Sequence, residues 1–382
     1  MSVGIIAEYN PFHNGHKYHL EKVKEMFKEE TIILVMPGNF VQRGEPAIID
    51  KWERTNIAIE EGIDLVVELP FPFATQSADY YSYGAITLLN HLKVDKLVFG
   101  SECNNIKDLE AIVDCELKNK DFDQLVKFYG KCGYNYPTSL SLTLKELTNK
   151  EIKTPNDILG ITYIKTIKKE KYKITPYLIK RTNSYHEKEL QKEISSATAI
   201  RKAIIEKKNI DNQIPISTKK RLKKIHQKED YFPFLKYKII TEENLTQYLG
   251  VDQGLQNSLK KEIEQVQSIQ ELIEKCKRKR NTQSNISRAL LHILCNYTKE
   301  ENKKFQEITY IRLLGMNQKG KKYLNQIKKE ITIPIISKIT REKDLMLVPV
   351  GLRFSSLTPS WSRQWLQELP SDQQPSRHCL VP

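Results

Sequence analysis

Short, mostly apolar runs alternate with amphipathic stretches along the first part of the chain. Residues 3–7, 31–36, 64–69, 96–99 and 174–179 have the length and the Val, Ile and Leu content of strands buried on both faces of a parallel sheet. Between them, residues 17–27, 51–61, 77–92 and 158–168 carry apolar positions at helical spacing. This order predicts an α/β fold with a doubly wound parallel sheet, Rossmann-like in architecture. Such folds place ligands beyond the carboxyl ends of the strands, where His13, Gly38, Pro70 and Gly100 fall. Residues 103–150 break the alternation with mostly helical character and read as an insertion.

After residue 201 the period changes. Leu259, Ile263, Val266, Ile269 and Ile273 recur at helical spacing, followed by Ile286, Leu290, Ile293 and Leu294, and then by Phe305, Ile308 and Ile311. Such stripes face a core and carry no chemistry of their own. The pattern predicts an α/β domain over 1–201 and a mostly helical domain over 202–343. Residues 344–382 stand apart: from Leu345 onward there is no lysine, two of the three tryptophans (Trp361 and Trp365) appear, and Ser, Pro and Gln accumulate. They read as a scar, a frameshifted end or a disordered extension, with a natural but unusual tail as the alternative.

Charge sharpens this division. The net charge of +14 is unevenly spread: residues 1–150 hold 16 basic and 22 acidic side chains, net −6, whereas residues 151–343 hold 42 and 22, net +20. A field of that size attracts a polyanion, which makes RNA, rather than DNA, the natural partner of the second part. A merely lysine-rich solvated surface is the alternative. Lys277, Arg278, Lys279, Arg280 and Arg288 are the sharpest basic features, arginine being suited to phosphate forks. No apolar run reaches the ~18–20 residues that cross a bilayer, and no basic signal region precedes the first strand, so a cytoplasmic protein without a membrane partner is expected. The six cysteines lack CxxC spacing, which argues against a zinc knuckle or a disulfide framework.

The candidate chemistry begins at His13-Asn14-Gly15-His16, where the first strand gives way to a helix. A helix N-terminus offers unpaired N–H groups and about half a positive charge, Gly15 admits a ligand close to the backbone, and two imidazoles add donors; together these suit a bound phosphate. A metal pair or two solvent-facing histidines remain alternatives. A second signal, Ser195-Ser196-Ala197-Thr198-Ala199-Ile200-Arg201, brings hydroxyls and an arginine to another helix start; alone it would be an ordinary capped helix.

These two segments look like the paired signatures of the HIGH-type nucleotidyltransferase superfamily. Ala7-Glu8-Tyr9-Asn10-Pro11-Phe12-His13-Asn14-Gly15-His16, the loop 37–47 with Asn39, Gln42 and Arg43, Pro155-Asn156-Asp157-Ile158-Leu159-Gly160, and 195–201 resemble, in order and spacing, the bacterial tRNA(Met) cytidine acetate ligase family over residues 1–343. The resemblance implies an ATP site with His13, His16, Ser196 and Arg201 at the reacting phosphate. Ala7, Glu8, Tyr9, Asn10, Pro11, Phe12, Asn14, Gly15, His19, Leu20, Gly100, Asn156, Arg181, Ser195 and Thr198 would surround the nucleotide. By local sequence alone Gly100 is equally a turn glycine, Asn156 a helix N-cap and Arg181 a surface arginine. Asn39, Gln42 and Arg43 would meet the acyl group or the target base; Lys51 and Arg54, at the next helix start, would add phosphate contacts or lie exposed. The implied reaction activates acetate with ATP to acetyl-adenylate and acetylates the exocyclic amine of the wobble cytidine in elongator tRNA(Met), with Mg²⁺ carried by ATP and no dedicated metal cluster. A nucleotidyltransferase for a small phosphorylated metabolite and a noncatalytic RNA-binding protein are the rival readings. Oligomeric state is not legible.

Overall fold

Residues 1–103, 105–149, 154–181, 194–278 and 281–338 are described by the computed structural model. Five parallel strands, β1 (Ser2–Ile6), β2 (Thr31–Pro37), β3 (Leu65–Leu69), β4 (Lys96–Ser101) and β5 (Thr175–Lys180), lie in the order β5-β4-β1-β2-β3. Strand period explains why both faces are apolar. In β2, Ile32, Leu34 and Met36 join the core on one face, and Ile33 and Val35 join the core on the other. The winding reverses between β1 and β4, and this crevice is where such sheets hold ligands.

Helices cover both faces. α1 (Asn14–Met26), α2 (Lys51–Glu60) and α3 (Ala78–His91) follow the first three strands. The insertion is helical, as α4 (Ile106–Lys118), α5 (Phe122–Lys131) and α6 (Tyr136–Thr148), and α7 (Pro155–Lys169) leads into β5. α8 (Ala197–Ile205) carries the second motif. The remaining helices include α9 (Phe232–Thr241), α10 (Gln253–Glu262), α11 (Ile269–Cys276) and α12 (Gln283–Leu294), which share a core of their own with Leu235, Leu259, Leu272 and Leu290. Phe40 and Phe71 of the α/β part belong to that core as well; Phe40 packs against Tyr231 with ring centroids 6.1 Å apart. Aromatic burial of this kind contributes ~1.5–3 kcal/mol per side chain, enough to seat the helical part firmly.

Two expectations change. The stripe 259–273 is not one helix, because α10 closes with a 3-10 turn (Ile263–Gln265) and the Ser268 hydroxyl caps α11 by accepting from the Glu271 N–H at 3.1 Å. The stripe Phe305, Ile308 and Ile311 is not helical either. Ile311 opens β6 (Ile311–Met316), antiparallel to β3, and β7 (Ile335–Ile336) pairs parallel with β6. Three apolar residues three apart cannot separate a helix from the approach to a strand. Between these strands, α13 (Gln318–Ile327) crosses the sheet, so the chain returns to the α/β layer after the helical region.

Lys51 and Arg54, expected at phosphates or in solvent, are buried. Lys51 Nζ pairs with Glu68 Oε2 at 3.1 Å. Arg54, 0% exposed, donates to the carbonyls of Glu8 (2.6 Å), Pro37 (3.1 Å), Gly38 and Ile49 (3.2 Å), tying the ends of β1 and β2 together. Burial lowers its guanidinium pKa to about 10, still charged at neutral pH. No helix among the described residues is long and apolar enough to cross a membrane. Cys103, Cys115, Cys132, Cys276 and Cys295 are free thiols. Lys279, Arg280 and the tail 344–382 lie outside the described residues.

Candidate functional site

A cavity of about 710 Å³ opens at the carboxyl ends of β1, β4 and β5, lined there by Ala7, Gly100 and Arg181. Its floor is the histidine turn. His13 is the N-cap of α1: its Nδ1 accepts from the Gly15 N–H at 3.0 Å, and the His16 Nδ1 accepts from the His13 N–H at 3.3 Å, a capping box made of two imidazoles. The rings stack with centroids 3.8 Å apart. A Cβ on residue 15 would stand 2.8 Å from the His13 ring, so this closeness requires glycine.

The cap fixes the chemistry. Each Nδ1 accepts a backbone N–H, so in the neutral rings the hydrogen sits on Nε2, and the Pro11 carbonyl is a further hydrogen-bond partner of His16. Neutrality itself follows from the environment. Burial, then the charges of Arg181 and Arg201, push the His13 pKa down to about 3; burial, then His13, holds His16 well below its usual value. His19, one turn further, is pushed to about 4 by burial and Arg181, and its buried Nε2 has no hydrogen-bond partner among the described residues.

The second motif stands opposite. Ser196 caps α8, its Oγ accepting from the Ala199 N–H at 3.1 Å, and Arg201 donates to the Asn10 carbonyl at 2.9 Å. Arg201, Ser195, Ser196 and Ile194 line the cavity. Thr198 does not: it is exposed and its hydroxyl accepts from Arg201 at 3.2 Å. On a third wall, Glu102 Oε1 accepts from Asn156 Nδ2 at 2.7 Å and lies 3.4 Å from Arg181 Nε, so one carboxylate orients both. The cap of α7 is Thr154, whose hydroxyl accepts from the Asp157 N–H, which leaves Asn156 inside the first turn and facing the cavity. Gly100 sits within β4, not in a turn, with Arg181 Cγ 3.4 Å from where a Cβ would be.

The helical part closes the mouth. Arg288 of α12 lines the cavity beside Gln42 and Arg43, donating to the Gln42 carbonyl at 3.4 Å. This puts Arg288 in the cavity wall, apart from Lys277 and Arg278, which are exposed and outside the lining; Arg278 donates to the Ser258 hydroxyl at 2.9 Å. Ala7, Glu8, Tyr9, Asn10, Gln42 and Arg43 all line the site. Pro11, Phe12, Asn14, Leu20 and Asn39 do not. Phe12 and Leu20 are core; Asn14 donates to the Asn212 carbonyl at 2.8 Å; Asn39 Oδ1 accepts from the Lys51 N–H at 3.0 Å.

Sequence reasoning missed the wall opposite the motifs. Tyr81 and Tyr163, from α3 and α7, face the cavity where those helices cross, pinned by a 2.6 Å Ser82–Thr162 hydroxyl contact. Nearby, Lys165 lies 2.5 Å from Asp79 and 2.8 Å from Glu116. No linear spacing marks these residues, because three separate helices bring them together. Among the described residues, no three His, Cys, Asp or Glu side chains form a metal-binding group.

This geometry has close relatives. The model of the HIGH Nucleotidyl Transferase family matches residues 1–363, past residue 343 where the motif resemblance stops. The chain is 42% identical over 360 residues to the tRNA(Met) cytidine acetate ligase of Geobacillus sp. (strain WCH70), covering 90% of each. It is equally 42% identical over 359 residues, 90% of each, to the ligase of the same name from Thermoanaerobacter sp. (strain X514). Two crystal structures of Thermotoga maritima TmcAL share the fold. The apo form gives a TM-score of 0.86 at 31% identity, and the form bound to alpha-thio ATP gives 0.84 at 30%; each comparison covers 98% of this chain and 96% of the other.

Proposed function

The chain belongs to the HIGH nucleotidyl transferase family and, within it, to the tRNA(Met) cytidine acetate ligases, and from that premise we infer that it activates acetate with ATP and acetylates the wobble cytidine of elongator tRNA(Met) in the cytoplasm. The observation that carries this reading is the meeting, in one cavity, of two neutral imidazoles presenting Nε2–H with Arg181 and Arg201. The relative from Thermotoga maritima, crystallised with an ATP analogue, supports ATP as the nucleotide.

In the first step an acetate oxygen attacks the α-phosphorus, and the bond to the bridging oxygen of pyrophosphate breaks. Negative charge gathers on the α-phosphate oxygens. The Nε2–H groups of His13 and His16 and the N-terminus of α1 are placed to stabilise it without reorganising, the arrangement that gives electrostatic catalysis its size. Arg201, and the hydroxyls of Ser195 and Ser196, meet the leaving pyrophosphate. Glu102 holds Asn156 and Arg181 at the nucleoside side. The chemistry magnesium would supply there is neutralisation of the pyrophosphate charge. The lining carboxylates fit an ion carried mostly on nucleotide oxygens rather than a protein cage, since Asp79 and Glu116 pair with Lys165 and Glu8 alone of the three lies outside an ion pair among the described residues.

In the second step the cytidine amine attacks the acetyl carbon and AMP leaves. The net +20 of residues 151–343 supplies the field for the tRNA, and Arg288 brings the helical part to the reacting end of the cavity. Protein, ATP, Mg²⁺ and isotopically labelled acetate, incubated with and without bulk bacterial tRNA, test the reading; the RNA is digested and analysed by mass spectrometry. Labelled N-acetylcytidine that requires ATP is the expected product. Pyrophosphate release that requires a phosphorylated metabolite, with no label in RNA, would mark a small-molecule nucleotidyltransferase instead.

A further inference from the structure

The cavity is built mainly for anions, and one carboxylate in it stands out. Of the three carboxylates among the lining residues, Asp79 and Glu116 share the single ammonium of Lys165, Glu116 Oε2 being buried with no hydrogen-bond partner among the described residues. Glu8, at the end of β1, is in no ion pair among the described residues. Its Oε1 accepts from the Gln42 N–H at 2.9 Å, and its Oε2 receives no donor from them. The carboxylate is also held in place. Arg54 fixes the Glu8 carbonyl at 2.6 Å, and Tyr9, the next residue, has φ +46, a backbone state that the surrounding structure must enforce. Tyr81 and Tyr163 line the same cavity, and burial, with the Glu8 charge a lesser cause, keeps both phenols protonated.

A negatively charged oxygen beside bound triphosphate and acetate repels both, so its partner is a cation or a hydrogen-bond donor. The acetyl acceptor is such a donor, and it needs help. The lone pair of the cytosine exocyclic amine is delocalised into the ring, and on attack the nitrogen becomes positively charged; unless it loses a proton, it is expelled again in preference to AMP. The imidazoles do not serve as that base, because their Nδ1 atoms are occupied by the cap and their Nε2 atoms carry hydrogen.

Resting on the ligase reading above, we propose that Glu8 is the general base of the transfer step, its Oε2 accepting the proton of the cytidine amine. As the C–N bond forms, the carbonyl π electrons move onto oxygen. The nitrogen gives one proton to Glu8, the oxyanion collapses, and the acetyl–phosphate C–O bond breaks to release AMP. The proton then passes from Glu8 to water, and one hydrogen remains on the amide nitrogen. Gln42 and Arg54 are positioning residues that aim this carboxylate.

The test separates the half-reactions of Glu8→Gln. Acetate-dependent exchange of labelled pyrophosphate into ATP reads activation; single-turnover transfer to tRNA reads the second step. Transfer is expected to slow about 100-fold more than exchange, within the range for loss of a general base, while hydroxylamine, an acceptor that needs no such base, still traps the acetyl group. Glu8→Asp, which keeps a carboxylate, is expected to regain part of the transfer. Equal losses in both half-reactions of both variants, or a raised KM for ATP with no split, would mean that Glu8 holds the nucleotide or the fold and would overturn the proposal. A wild-type protein without acetate-dependent exchange overturns the ligase reading first, and this one with it.

Discussion

His13 divides two tasks between two nitrogens: Nδ1 caps α1 and Nε2 faces the cavity. The tasks are separable by substitution. His13→Ala loses both, costing about 1 kcal/mol of stability for the cap and about 10²–10³-fold in acetate-dependent exchange for the donor. Asn is a strong N-cap that cannot reproduce the Nε2–H, so His13→Asn should recover the melting temperature and leave exchange low. Recovery of exchange by Asn would show that the cap alone matters. The two histidines were legible because their turn is contiguous in sequence. Arg54 and Lys51 were not: the carbonyls and the Glu68 carboxylate that bury them come from other strands, and no local pattern distinguishes a helix-start cation in solvent from one inside. Asn156 shows a finer limit. Thr154, two residues earlier, competes for the same cap and wins, which frees the amide for Glu102.

At the scale of elements, the loop after β2 folds back as a small hairpin (Phe40–Val41 with Glu45–Pro46), and its tip meets α12. Gly44 there has φ +76, its carbonyl accepts from the Ser287 hydroxyl at 3.0 Å, and a Cβ would lie 2.5 Å from the Arg288 nitrogen. Gly44→Ala combines a strained backbone with a clash against backbone atoms, and is expected to destabilise by about 2 kcal/mol or more, read from urea unfolding. Because the clash displaces Arg288 and Gln42 together, transfer to tRNA should fall more than pyrophosphate exchange; an equal fall would mean that α12 serves the ATP site alone. The five parallel strands could be read from sequence because burial on both faces leaves a dense apolar run. β6 could not, since it runs antiparallel to β3, comes after the helical region, and only the fold reveals its neighbours β3 and β7.

For the whole molecule, pH and salt probe different parts. His13 titrates at about 3 in the folded protein, and His19 and His292 at about 4, all held down first by burial. Unfolded, they take protons near 6.5, so between about pH 6.5 and 4 the unfolded chain binds more protons. Stability present above pH 6.5 is therefore lost on acidification, by at most about 1.4 kcal/mol per pH unit for each histidine. Urea midpoints at pH 7.5, 6 and 5 should fall in that order, and a flat series would contradict the burial of the three rings. Salt acts on the helical side: tRNA affinity should drop linearly in log–log form as salt rises, while exchange of pyrophosphate changes little. The return of the chain through β6 has a consequence for synthesis. Translation proceeds from the N-terminus, so β3, with Leu65, Val67 and Leu69 in the main core, waits as a bare sheet edge until Met316 has left the ribosome. The helical part must therefore be made, and largely collapse, before the ATP-binding layer has its last neighbour. A shortened protein ending at residue 201 keeps both motifs yet carries an open, adhesive strand, and its fate in the cell is self-association rather than a smaller enzyme.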